Sequence, residues 1–495
     1  KSFWSPLDPL VEGFLAQCGE CHGISDVRPP ARLLLYPYAS VYVEHYPFHL
    51  QGVSDWSRSF NGGMDVKYGL SDAYTLDMTL VPDFGQVVSD NVVLNLSPFE
   101  VQYNENRQFF TEGTELFQRG GLFYSRRVGG EPLLREAAYD SLDAGETVVE
   151  DPATSRLINA TKISGRGRKG LGVGFFNAIT SPTHATVRDS LGNEREVLTD
   201  PLTNYNVLVV DQLLRNNSEV SITNTNVLRD GRVYDANATA LAFTANNRAR
   251  TLKVGGLVAG TWKFDATEDQ RPGHRAKLDV MKTGGNWNYG TLLLRTDRYF
   301  DPNDLGIFFL TNIQGAQPFV NYTNYAPKGP WQRWNVGLEG EYLRVIEPDH
   351  FHNLAVEVNT FLVTRNFFGM GGHVRAEPIT TYDPFEPRAP GRLYEFPANV
   401  DVGAFLSSDY SKRLALDLEG SVRWFDEEQR RTAYINVEPR IRASERLLLV
   451  LSSYQELKDH DVGSAPFSTD HILSARPPQS TTPTPQPNQP PRPPR

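Results

Sequence analysis

Apolar and polar side chains alternate with a period of two along most of this chain, and no long apolar run interrupts them. A period of two belongs to β-strands whose two faces meet different surroundings, so helical architectures are set aside from the start. At 412–425, Leu414, Leu416, Leu418, Val422 and Trp424 share one face, and Asp417, Glu419, Ser421 and Arg423 share the other. At 64–70, Met64, Val66, Tyr68 and Leu70 alternate with Asp65, Lys67 and Gly69. After Ser71-Asp72, Tyr74, Leu76, Met78 and Leu80 alternate with Thr75, Asp77 and Thr79. Neighbours of this kind are antiparallel strands joined by a tight turn.

A soluble sandwich also alternates, so strand length decides. Membrane-crossing strands need about 9–11 residues when tilted, whereas soluble strands average about 5–6. Residues 333–345 put Trp334, Val336, Leu338 and Tyr342 outward and Asn335, Gly337, Glu339 and Glu341 inward. Residues 352–362 set Leu354, Val356 and Val358 against Glu357 and Asn359, and 433–442 set Ile435, Val437 and Ile441 against Asn436, Glu438 and Arg440. Inward charges and glycines suit a wet lumen rather than a packed core. With 39% hydrophobic residues and a mean hydropathy of −0.42, a helical membrane protein is excluded. Tyr36, Tyr38, Tyr42, Trp262, Trp287, Trp331, Trp334 and Trp424 fall near strand ends, where interfacial girdles form. The pattern predicts an all-β fold: an antiparallel transmembrane β-barrel of about 16–18 strands with an internal plug-like segment.

The expected organisation is an amino-terminal linker at 1–30, a barrel over 31–475 and a Pro-rich tail at 476–495, too poor in apolar residues to pair in a sheet. The chain lacks the terminal aromatic expected of a closing strand, so the last strands are missing, the tail follows a closing strand near 445–456, or closure happens differently. Lys1 opens without a secretory leader, so an exported chain has lost its leader or starts at an internal position. The net charge of −10 and the lack of a basic stripe exclude nucleic acid as a partner.

Strand rhythm fails at 83–135. A stretch of that length without rhythm is uncommon as a bare loop, and within a barrel it would fold inward as a plug or constriction. Its charged groups, Asp83, Asp90, Glu100, Glu105, Arg107, Glu112, Arg126 and Arg127, form the expected plug and lumen pairing network.

These residues also carry a resemblance. PPARLLLYPYASVYVEHYP, NGGMDVKYGLSDAYTLDMTLVPDFGQVVSDNVVLNLSPFEV, ENRQFFTEGTELF, LFYSRRVGG and FDPNDLGIFF resemble the bacterial family known as domain of unknown function 5916, over most of 1–460. The resemblance implies a Gram-negative outer-membrane β-barrel, often behind a carbohydrate-binding-like domain. It implies no reaction.

CGECHG at 18–23 matches the c-type haem attachment pattern, with thioethers from Cys18 and Cys21 and axial ligation by His22. The resembling family carries ordinary polar residues there. A Cys18–Cys21 disulfide and unbridged thiols are the other two readings. Asp349, His350 and His352 are close enough to ligate a metal but lack a third partner in the pattern, which favours turn-tip histidines. Glu105 and Glu112 offer paired carboxylates for glycoside cleavage. No G-x-S-x-G or phosphate loop is present.

The reading expected from all this is a non-enzymatic outer-membrane protein, porin-like and plugged or acting as an envelope scaffold, in uptake or assembly. It needs no cofactor, and its partners are outer-membrane lipid, other envelope proteins and glycans. The alternatives are a carbohydrate-binding or glycan-processing surface protein and a haem-bearing electron conduit.

Overall fold

The computed structural model describes residues 32–45, 56–82, 97–264, 271–388 and 391–461, with a few single positions besides. Asp83, Asp90 and the tail at 476–495 lie outside the described residues. The fold is all-β, and its body is one antiparallel meander. From Leu33–His45 and Trp56–Gly69 to Arg431–Arg442, each long strand is hydrogen-bonded to the one before it and the one after it. The predicted hairpin pairs as expected, with Met64 opposite Leu80 and Tyr68 opposite Leu76.

Among the described residues the sheet holds twenty strand segments, more than the 16–18 that alternation predicts. Two of them, Leu448–Val450 and Ser453–Asp459, lie end to end along the same partner strand. They occupy the place expected for a closing strand. Among the described residues, however, no ladder joins them to the first strand, which pairs with Trp56–Gly69 alone.

The two ends of the sheet differ. At one end every connection is a turn of four to six residues, at 70–73, 167–170, 214–218, 247–251, 283–286, 325–330, 365–368, 408–413 and 443–447. Several of these turns use left-handed backbone, as at Gly170 (φ +83°) and at Asn216 and Asn217 (φ 61° each). The other end carries the long excursions 81–156, 181–202, 297–312 and 378–398. Two small accessory sheets belong to them, one of Thr147–Glu150, Thr183–Arg188 and Glu194–Asp200 and one of Thr381–Asp383 and Tyr394–Phe396.

Register fixes the two faces. Inward, Ala240 stands opposite Ala259, Ala259 opposite Arg275, and the row continues through Thr296 to Ile313. Outward lie exposed large apolar side chains on strand after strand: Leu208, Ile222, Leu241, Val258, Leu293, Leu338, Val358, Val402, Leu416 and Ile435. Aromatic side chains sit at both ends of this face. At the turn end Trp287, Tyr322 and Trp334 meet across three strands, edge-on and tilted, with ring centroids 4.9 and 5.2 Å apart, and at the loop end lie Trp262, Tyr342 and Trp424.

Candidate functional site: an inward segment and two unlike walls

The chain from 97 to 142 leaves the loop end; its short helical turns at Gln108–Thr111, Arg119–Gly121 and Ser125–Arg127 lie on the inward face, and the last, Ala137–Asp140, packs on the accessory sheet of Thr183–Arg188 and Glu194–Asp200. Room for it comes from small side chains on the strands beneath. Gly172 and Gly174 form a trough in which an added Cβ would stand 3.0 Å from Leu116 and 3.1 Å from the Phe117 ring. Ala160, Ala178, Ala236, Ala238 and Ala240 extend it. Phe110, Leu116, Phe117 and Val128 pack there against Phe176, Val207 and Val209, and Leu122 packs against Ala238, Ala240 and Phe300. All five segment side chains are buried, which stabilises the docked segment by on the order of 10 kcal/mol.

Polar anchors complete the docking. Lys67, Asp77 and Lys162 stand side by side in register on three strands. Lys162 Nζ donates to the carbonyls of Phe109 (2.7 Å) and Glu112 (2.5 Å), and the Glu112 carboxylate forms an ion pair with Lys67. Further on, Arg119 reaches Glu219 (2.6 Å) and the buried Asp211 (3.3 Å), which Arg166 also contacts. The Thr223 hydroxyl donates to the Arg119 carbonyl (3.0 Å), and Arg127 Nε donates to Gly306 O (3.0 Å).

The predicted network divides into three parts. Glu105, Arg107 and Arg126 come together around Ser125. The Glu105 carboxylate accepts from Arg107 Nε (2.9 Å) and Nη2 (2.8 Å) and from the Ser125 hydroxyl (2.6 Å). Arg107 donates on to Val128 O and Ser125 O, and Arg126 donates to Asn104 O. Burial alone would push the Glu105 carboxyl up, but the Arg107 guanidinium and these hydrogen bonds hold it below the usual carboxylate range. Glu100 makes a separate bidentate pair with Arg127. Glu112 stands at the wall, where its hydrogen bond with Lys67 lowers its pKa. Each of Glu105 and Glu112 is therefore held by its own cation, and their arrangement is that of structural clasps.

The pairing partners Lys67, Asp77, Lys162, Arg119, Asp211 and Glu219 were not singled out from sequence. The signal for Lys67, Asp77 and Lys162 was their inward parity on alternating strands, which becomes specific only once register is known.

The part of the sheet from Ile313–Asn324 to Arg431–Arg442 has a different character on the same face. Phe319, Glu339, Glu357, Arg375, Asp401 and Arg423 are successive partners across six strands. Arg375 lies 3.1 Å from Glu377, 3.6 Å from Glu341 and 3.8 Å from Glu357. Asp401 meets His373 at 2.6 Å and Arg423 at 3.5 Å. On the next strands Asp417, Glu438 and Arg440 form another cluster. A cavity of 490 Å³ opens among Gln317, Asn321, Glu339, Glu341, Glu357 and Arg375.

The remaining candidates are placed as follows. Cys18 and Cys21 are exposed, as is His22. Asp349 is engaged by Arg344 (2.7 Å), while His350 Nδ1 turns to Phe351 O and His352 Nδ1 to Tyr382 O, both at 2.7 Å. Among the described residues no three His, Cys, Asp or Glu side chains gather in a metal-binding group.

The profile of DUF5916, a domain of unknown function, matches residues 29–484. The chain belongs to that family. The DUF5916 region takes in the whole meander, the inward segment and both walls, and CGECHG precedes it. No curated protein matches the chain.

Proposed function

We propose that this DUF5916 chain is a non-enzymatic outer-membrane β-barrel, whose meander curls around a lumen partly filled by the 97–142 segment and which serves uptake or envelope assembly. The observation that carries this reading is the outward face. Large apolar side chains stay exposed from one strand to the next, far beyond the few hundred Å² that a soluble monomer leaves uncovered. Aliphatic side chains occupy its middle and aromatic ones its two ends, the order a bilayer demands. The contrast between tight turns at one end and long loops at the other fits the periplasmic and external ends of such barrels. Outer-membrane lipid is then the partner of the outward face. The engagement of Glu105 by Arg107 and Glu112 by Lys67 favours this over a glycan-cleaving role. Reconstitution into liposomes tests it. Insertion with protease-resistant strands and cleavable loop-end excursions is expected, and a protein that stays in the aqueous phase as a folded monomer overturns it.

A further inference from the structure

The segment and the open wall invite different tasks. A movable plug has to leave a surface that tolerates water, yet the surface beneath 97–142 is Phe176, Val207, Val209 and a run of alanines and glycines. Above it, Phe117, Leu122 and Val128 have almost no contact with solvent. Ejecting the segment would hydrate both faces of an apolar core. Glu105, Glu112 and Arg119 of the segment are each engaged within the fold, by Arg107, by Lys67 and by Asp211 with Glu219. The wall spanning Ile313–Asn324 to Arg431–Arg442 has the opposite properties. Its inward side chains are largely polar, those of Glu339, Glu341, Glu357 and Arg375 are half-exposed around a cavity, and carboxylates outnumber guanidinium groups along the register rows.

We propose that the 97–142 segment is a fixed part of the barrel wall, and that solute passes along the hydrated wall opposite it, which selects small cations. This rests on the barrel reading above and assigns the path within it. Selection works through the field of a lining whose summed charge is negative, as in carboxylate-lined cation pores. Arg375 and Arg423 space the carboxylates and keep the path from closing into a single deep cation trap, since conduction needs entry to be favourable and exit to remain possible.

The test uses the whole chain with Cys18→Ser and Cys21→Ser, in planar bilayers. The segment is locked to the sheet by Arg119→Cys and Glu219→Cys bridged with a short bis-maleimide, because their side chains meet at 2.6 Å in the native protein. Reversal potentials in a potassium chloride gradient then give the cation preference. The proposal expects the locked and unlocked proteins to conduct equally and to prefer potassium over chloride. It also expects Glu339→Gln with Glu357→Gln to bring that preference toward unity, while circular dichroism stays unchanged. Conductance abolished by the lock overturns the fixed-wall assignment and leaves the barrel reading standing. Silence of both proteins, once protease protection has shown them inserted, overturns the path. Failure to insert removes the barrel reading and the proposal with it.

Discussion

The half of the sheet from Leu157–Arg166 to Leu252–Phe264 and the half from Ile313–Asn324 to Arg431–Arg442 share one outward face and differ on the inward one. Outward, Leu208 and Ile222 in the first half correspond to Leu338 and Leu416 in the second. Inward, the first half presents Gly, Ala, Val and Thr beneath a docked segment, and the second presents Glu, Asp, Arg and Asn to open space. One backbone pattern therefore supports two kinds of interior. Small inward side chains create space that an apolar segment fills, whereas long charged ones hold each other in pairs and keep water near them.

The comparison breaks most readily at Phe117. Phe117→Ala should destabilise the protein by about 3–5 kcal/mol in urea unfolding. Phe319→Ala on the open wall should do much less, because its side chain is only half-buried. Equal losses would mean that the two interiors are not different. Next in size is the shared outward face, where Leu208→Arg and Leu418→Arg, both away from their strand ends, should each cost about 2–4 kcal/mol in bilayers, with the exposed inward Glu419→Gln nearly neutral. A large difference between the two arginine variants would show that the halves meet different surroundings outside as well.

Glu105 sharpens the contrast at a smaller scale. Its carboxyl is held below the ordinary value of 4.5, so its contribution is complete above that value and is lost as pH falls through the lower native one. Hydrogen exchange around Ser125 should accelerate on acidification through that window, and Glu105→Gln should weaken the dependence there at a cost of about 1–3 kcal/mol, leaving the part that Glu112 contributes. Exchange insensitive to pH in the wild type would contradict the clasp. The smallest effect is expected at Glu357→Gln, within about 0.5 kcal/mol by urea titration, since that side chain lies 3.8 Å from its cation on an open wall.

Much of this was legible in the chain. The two faces of 333–345, 352–362, 412–425 and 433–442 were legible because their inward residues are mostly polar, so alternation is undiluted. Strand number was read low, and 203–246 shows why. Val207 and Val209 are apolar inward because the segment covers them, next to outward Leu208 and Val210. Outward Asn177, Asn206, Asn226 and Asn237 stand in one register row across four strands and dilute the pattern from the other side. The segment announced itself by losing rhythm, and Glu105, Arg107 and Arg126 were legible as members of one charged network without their individual partners. The anchors at Lys67, Lys162 and Asp211 were not, since pairing over tens of residues depends on register that one sequence does not display. Asp83 and Asp90 belong to the same predicted network and lie outside the described residues.

The central claim is that the outward face meets lipid and the inward face water. Single cysteines at Leu416, Asp417, Leu418 and Glu419, each in the Cys18→Ser, Cys21→Ser protein, would carry a nitroxide label in liposomes. Relaxation by oxygen and by a water-soluble nickel chelate would then be compared. The account predicts that oxygen dominates at 416 and 418 and the chelate at 417 and 419. Equal access of the chelate to all four positions would contradict it.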